Sequence, residues 1–250
     1  IMCGIVGIYL KTKKFEKNLG KMLSGMLNNM ESRGPDSAGF AIYKNEGNKV
    51  FKFSLCINNL NFNIFKKELS KKIKKIKLNQ ISDHVILKTE EKPKKVLGIL
   101  NLNFPEVSIV GYGKSIEIFK QVGNPKDVVK KFKLGDFSGT HGIGHTRMAT
   151  ESAITTDGSH PYSTGEDECL VHNGSLSNHN NLRRELSKKG NIFNSENDTE
   201  VAAGYVSHNL SNNKSLKDTL TSGLKDLDGF YTFITGTRKG FAVVRDEIAC

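Results

Sequence analysis

The chain has 250 residues, 37% hydrophobic and 25% charged, the proportions of an ordinary globular protein with room for one large domain or two small ones. No apolar run approaches the roughly 20 residues that a bilayer-spanning helix needs, and residues 1–10 have neither a basic segment before them nor a small-residue cleavage site after them, so neither a membrane anchor nor a secretory leader is expected. Residues 61–100 supply +7 of the net charge of +11, with eleven Lys against four acids, and carry only Phe62 and Phe65 as aromatics that could stack on bases; a local solvated face, not a nucleic-acid groove, is the expected reading.

The first seven residues run Ile-Met-Cys-Gly-Ile-Val-Gly, and 3–10 reads as a buried strand. Leu19, Met22, Leu23, Met26, Leu27 and Met30 fall at helical spacing, which predicts a helix over 15–30, stopped by Gly34-Pro35 and followed by the turn-favouring Asp36-Ser37. Two strands, 40–43 and 50–57, follow around a turn at 44–48. Residues 58–111 change character and predict a compact α/β insertion: helix 62–76, strand 84–89, helix 93–103 and strand 106–111. Its only suggested use is as a docking surface, carried by Lys71, Lys72, Lys74 and Lys75. Strand 115–122 and helix 125–131 return to the main body. From residue 139 the chain is dense in Gly, His, Thr, Asn and Asp. Strand 168–172 then leads into Asn173-Gly174, followed by helices 178–190, 200–210 and 215–227 and a closing hairpin of 230–235 with 240–245. Asp198 or Thr199 is the natural N-cap of the second of these helices. Strands joined by tight turns and alternating with helices predict largely antiparallel sheets covered by helices.

Cys3, Cys56, Cys169 and Cys250 lie far apart and form no C-x-x-C pair, so neither a zinc site nor a disulfide framework is expected, and the expected setting is a reducing cytoplasm. His141, His145, His160, His172 and His179 lack metal spacing and read as hydrogen-bonding structural residues. Cys3 becomes the first residue if Ile1 and Met2 are removed. Its α-amine could then serve as general base for its own thiol. Such a nucleophile needs oxyanion donors and groups that hold the substrate. The Asn173 amide and the Gly174 N–H could supply the donors, although Asn-Gly alone reads as a tight turn. Arg147 could grip a carboxylate with two parallel bonds, Asp198 could receive an ammonium, and Arg33 and Asp36 could line the same pocket.

Five motifs stand here in the order seen in class II, N-terminal nucleophile glutamine amidotransferases: Met-Cys-Gly-Ile-Val-Gly, Arg-Gly-Pro-Asp-Ser-Ala-Gly, Gly-His-Thr-Arg-Met-Ala-Thr, His-Asn-Gly and Asn-Asp-Thr-Glu. The chain resembles that family over nearly its whole length. The runs around Gly-His-Thr-Arg-Met-Ala-Thr-Glu-Ser and Leu-Val-His-Asn-Gly-Ser-Leu are most similar to the small amidotransferase subunit of N-methylglutamate synthase and its glutamate-synthase-like relatives. The resemblance implies an α/β (α+β) class, as a four-layer αββα sandwich with a small α/β insertion. Residues 1–250 would form one type-2 amidotransferase domain whose relatives continue beyond Cys250. It implies that Cys3 attacks glutamine and releases ammonia, with Asn173 and Gly174 as oxyanion hole. Arg147 would hold the α-carboxylate and Asp198 the α-ammonium, with Thr150 on the pocket wall. Arg33, beside Gly34, would support the cysteine, and residues 148–159 would border a loop that closes over the substrate. Where some relatives have Trp and His around the Arg-containing motif, this chain has Met148 and Glu151. The chain carries no cofactor signature of its own, so a partner synthase with flavin and iron–sulfur subunits is implied to consume the ammonia. An amidophosphoribosyltransferase-type part, or a non-catalytic subunit that keeps the fold, are the alternatives.

Overall fold

The computed structural model describes residues 3–45, 47, 49–58, 60–149 and 153–248. In chain order the strands are β1 (Gly4–Tyr9), β2 (Ser37–Tyr43), β3 (Phe51–Cys56), β4 (Lys77–Ile81), β5 (His84–Thr89), β6 (Ser108–Gly113), β7 (Ile116–Val122), β8 (His141–Arg147), β9 (Tyr162–Gly165), β10 (Glu168–Leu176), β11 (Gly229–Thr237) and β12 (Gly240–Arg245). They form three four-stranded sheets, ordered β1-β8-β2-β7, β12-β11-β10-β9 and β4-β5-β3-β6. All strand pairs within these sheets are antiparallel.

The first two sheets lie face to face. Alternation along β2 shows how the sequence builds the layers: Ala38, Phe40 and Ile42 point outward, Ala41 and Tyr43 toward the second sheet. Between the sheets Ala41, Ile118 and Ile143 meet Cys169, Val171 and Ile234. Outside the first sheet, Leu19, Leu23 and Leu27 of α1 (Leu19–Asn29) and Val128 of α4 (Pro125–Lys131) close over Val6, Phe40 and Phe119. Each of the three leucines is fully buried, worth about 1.5–3 kcal/mol relative to exposure. Outside the second sheet, α5 (His179–Lys188), α6 (Asp198–Ser211) and α7 (Leu216–Asp226) bury Val201, Tyr205 and Leu220 against Leu170, Tyr231 and Phe233. The result is the four-layer αββα sandwich. In the third sheet, Phe53, Leu55 and Leu87 lie beneath Phe65 and Leu69 of α2 (Phe62–Lys72) and Val96 and Leu100 of α3 (Pro93–Asn103). No helix among the described residues is long and apolar enough to cross a membrane.

Several expectations are corrected. The first four residues of the helix expected at 15–30 belong to a 3-10 segment over Lys13–Asn18; it buries nothing, so no packing holds it as an α-helix. β3 pairs with β5 and β6, not with β2, so the third sheet begins before residue 58. The helix expected to reach residue 76 ends at Lys72, and β4 follows. Residues 141–147 form a fully buried central strand, and β9 was not foreseen. β10 runs on through Asn173-Gly174 to Leu176, so no turn occurs there.

Candidate active site

Cys3 directly precedes β1, whose Gly4 pairs with Thr146 at the end of β8. Its Sγ donates to the Met148 carbonyl at 3.8 Å. Burial pushes the thiol's pKa up. The Arg147 guanidinium draws it down and Asp198 pushes it up, so one cation and one anion both lie within electrostatic reach of the sulfur. Arg33 Nε donates to the Cys3 carbonyl at 3.4 Å. Gly34 lets its segment lie on the end of β8, because a Cβ there would stand 2.4 Å from the Thr146 carbonyl and 2.6 Å from the Arg147 nitrogen. Asp36 holds the same strand end from the other side. Its amide donates to the Arg147 carbonyl at 3.0 Å, and its carboxylate accepts from the Ala149 amide at 2.7 Å. Asp36 thus fixes backbone at the site. Arg147 is buried and donates to the Ala153 carbonyl at 3.2 Å. Thr150 lies outside the described residues, as do Ile1, Met2, Glu151 and Cys250.

Asp198 is not the cap of α6. Asn197 is, its side chain accepting from the Thr199 amide at 2.9 Å. That leaves the Asp198 carboxylate to reach β10, where it accepts from the Leu176 amide at 2.9 Å and faces His172 Nδ1 at 3.7 Å. Asn173 and Gly174 lie between these two contacts. Asn173 is buried, and its Oδ1 has no partner among the described residues. Gly174 has φ 137°, and a Cβ there would stand 2.0 Å from the Phe230 carbonyl, so only glycine fits.

Behind Asp198 lies a network in which three of the histidines read as hydrogen-bonding structural residues join Thr199, whose part in it the sequence did not show. The Thr199 hydroxyl contacts His160 Nε2 at 2.8 Å, His172 Nδ1 at 2.8 Å and Asp198 Oδ1 at 3.3 Å. A hydroxyl donates once and accepts twice, so it gives its proton to the carboxylate and receives one from each imidazole. His145 stacks on His160 with ring centroids 3.7 Å apart and donates from Nε2 to the His172 carbonyl at 2.8 Å. Among the described residues, the remaining ring nitrogen of each of the three is buried without a partner. Burial drives their pKa values down, His145 to about 3. In the sequence Thr199 showed only as a possible cap.

The segment after Arg147 is held at its far end by Lys120. This buried lysine donates to the Asp157 carbonyl at 3.1 Å and the Ser159 carbonyl at 2.8 Å, and burial lowers its pKa to about 8. Among the described residues, the potential metal donors that lie together are Cys56, Asp83 and His84. Protein partners already engage them: Asn58 accepts from the thiol at 3.2 Å and Lys131 holds Asp83 at 3.1 Å.

The four-layer αββα sandwich is the fold of the N-terminal nucleophile amidotransferases. A family model described as a glutamine amidotransferase domain matches residues 145–250. A glutamine amidotransferase-like protein of Rhizobium meliloti is 50% identical over 252 residues, spanning 100% of this chain and 84% of that protein. A protein of Methanothermobacter thermautotrophicus assigned to the glutamine amidotransferases is 31% identical over 264 residues, spanning 99% of this chain and 85% of its own length. The solved glutamine phosphoribosylpyrophosphate amidotransferase from B. subtilis shares the fold, with a TM-score of 0.54 at 20% identity over 98% of this chain; the chain spans 37% of that one. The chain belongs to the class II glutamine amidotransferases.

Proposed function

We propose that this chain performs the glutaminase half-reaction, with Cys3 as the N-terminal nucleophile once Ile1 and Met2 are removed. The observation that carries this reading is the meeting of Cys3 with the end of β8, which bears Arg147 and is followed by the Met148 carbonyl that the thiol reaches; Arg147 and Asp198 both act on the thiol's charge. A cation and an anion flanking a nucleophile suit an amino acid that presents a carboxylate and an ammonium at one end and an amide at the other. A thiol whose pKa is raised stays protonated near neutrality and needs a base. The freed α-amine takes that proton as sulfur attacks the γ-carboxamide carbon. Asn173 and Gly174 receive the developing oxyanion, where losing one donor costs roughly 3 kcal/mol of transition-state stabilisation. The C–N bond breaks, ammonia leaves with the borrowed proton, and water hydrolyses the glutamyl thioester to glutamate. Arg33 and Gly34 hold the backbone at either side.

In this reading residues 1–250 are one cytoplasmic type-2 amidotransferase domain without a cofactor of its own. Its ammonia serves partner subunits carrying flavin and iron–sulfur, as in an N-methylglutamate or glutamate synthase. The amidophosphoribosyltransferase alternative is less well supported, since the likeness to that enzyme is one of fold at 20% identity.

The test is N-terminal peptide mass spectrometry before and after an electrophilic glutamine analogue. The expected result is a mature chain beginning at Cys3, labelled on Cys3 alone, with glutamine protecting it. A chain that retains Ile1-Met2 and takes no label would sink the catalytic assignment.

A further inference from the structure

The third sheet meets the sandwich across a groove of about 940 Å³. Every residue of the stretch 77–82 lines it. Successive side chains of a strand point to opposite faces, so a strand that contributes all its residues presents its edge. β5 contributes alternate residues, Ile86 and Lys88, and so presents a face; β2 contributes Ile42, with Lys44 just past its end. β4 is the terminal strand of its sheet and, among the described residues, pairs only with β5. The groove therefore runs along an open backbone edge. Its floor is apolar, with Ile42, Ile86 and Phe132 buried and Leu78 and Phe137 half-buried.

Its rim is basic: Lys44, Lys66, Lys77, Lys88, Lys131 and Lys133 line it against only Glu117 and Asp136. Glu117 is itself engaged by Lys52 at 3.0 Å. The lysines singled out in the sequence do not serve this groove. Lys71, Lys72, Lys74 and Lys75 are not among its lining residues, and Lys71 pairs with Glu68 at 2.6 Å.

We propose that this groove binds an extended acidic segment of a partner protein, which adds as a further strand beside β4. Main-chain hydrogen bonds to the β4 edge supply affinity. Alternate apolar side chains rest on the floor, and carboxylates between them meet the lysine rim. About five residues match the length of β4. A second copy of this chain is a poor occupant, because it would bring Lys77 and its rim against like charge. Single-stranded nucleic acid is a poor occupant too: stacking needs open rings, and both groove aromatics, Phe132 and Phe137, pack into the core beneath α4.

The test is fluorescence anisotropy of the full chain with a labelled Glu-Val-Glu-Val-Glu-Val peptide at low salt. Saturable binding is expected, weakened at least tenfold in a Lys77→Glu/Lys133→Glu variant and unchanged in a Lys71→Glu/Lys72→Glu variant. A peptide of the same sequence with N-methylated alternate amides, which cannot add to an edge, should lose binding. Three results would overturn the proposal: no binding of the acidic peptide, equal weakening by both variants, or tighter binding of an oligo-dT probe at the same groove. Glutamine hydrolysis is not read in any of these measurements, so their outcome is independent of the Cys3 assignment.

Discussion

Thr199 shows how much one hydroxyl can organise. It joins two neutral imidazoles to the carboxylate proposed to receive the substrate ammonium, and all its partners are buried or half-buried. Replacing it with valine keeps the shape and leaves two buried N–H groups unpaired, at about 1–3 kcal/mol each. Thr199→Val is expected to lower Tm and to raise KM for glutamine at least tenfold with a smaller effect on kcat, because Asp198 loses its positioning. Thr199→Ser should recover most of both. Steady-state kinetics with a thermal melt decides; a Val variant with unaltered KM would show that the network is only structural. The sequence made Cys3, Arg147, Asn173 and Asp198 conspicuous because each bears a group with evident chemistry. Thr199, Asp36 and Lys120 were hidden or underread because their roles lie in partners that only the folded chain brings near.

At the scale of elements, legibility followed the punctuation of the chain. α3 and α4 begin at Pro93 and Pro125 as expected, since proline at a first helical position needs no hydrogen-bond donor. β8 was opaque for the opposite reason. A strand buried on both faces shows no polar alternation, and here glycines replace the apolar residues that would have marked it. The packing explains them: a Cβ on Gly142 would stand 3.0 Å from Leu23 Cδ2, and one on Gly144 2.9 Å from Leu27 Cδ2. α1 lies so close to β8 that side chains do not fit between them. Gly144→Val is therefore expected to destabilise the fold by about 1–3 kcal/mol, through overpacking. The change should appear as a fall in the urea midpoint at constant m-value; an unchanged midpoint would mean that α1 can move away freely. β10 misled differently, because Asn-Gly is a strong turn signal. Here the pairing of β10 with β11 overrides that preference.

The molecule as a whole carries its histidine cluster at the meeting of the two central sheets, which ties global stability to pH. His145, His160 and His172 are held neutral by burial, their pKa values lowered. In the unfolded chain each takes up a proton below about 6.5. Between pH 6.5 and the folded value of about 3, His145 binds more protons unfolded than folded, so its contribution is intact above 6.5 and is lost as pH falls. At pH 5 His145 alone accounts for about 2 kcal/mol. Chemical denaturation from pH 7 to 5 should show stability falling steeply, and a flat profile would contradict neutral burial.

The third sheet enters this whole by an economical route. β2 and β7 are partners in the first sheet, with Tyr43 opposite Ile116, and the Lys44 backbone amide donates to the Ser115 carbonyl at 3.0 Å. Residues 44–115 thus occupy the place of the turn in an ordinary two-stranded hairpin. Closure entropy grows only with the logarithm of loop length, so this excursion costs about 3 kcal/mol more than a two-residue turn before its own packing is counted. Each further doubling would add only about 0.6 kcal/mol. The register of β2 against β7, and with it the strand that seats β8 and Arg147, is thereby insulated from changes in the length of what hangs between them.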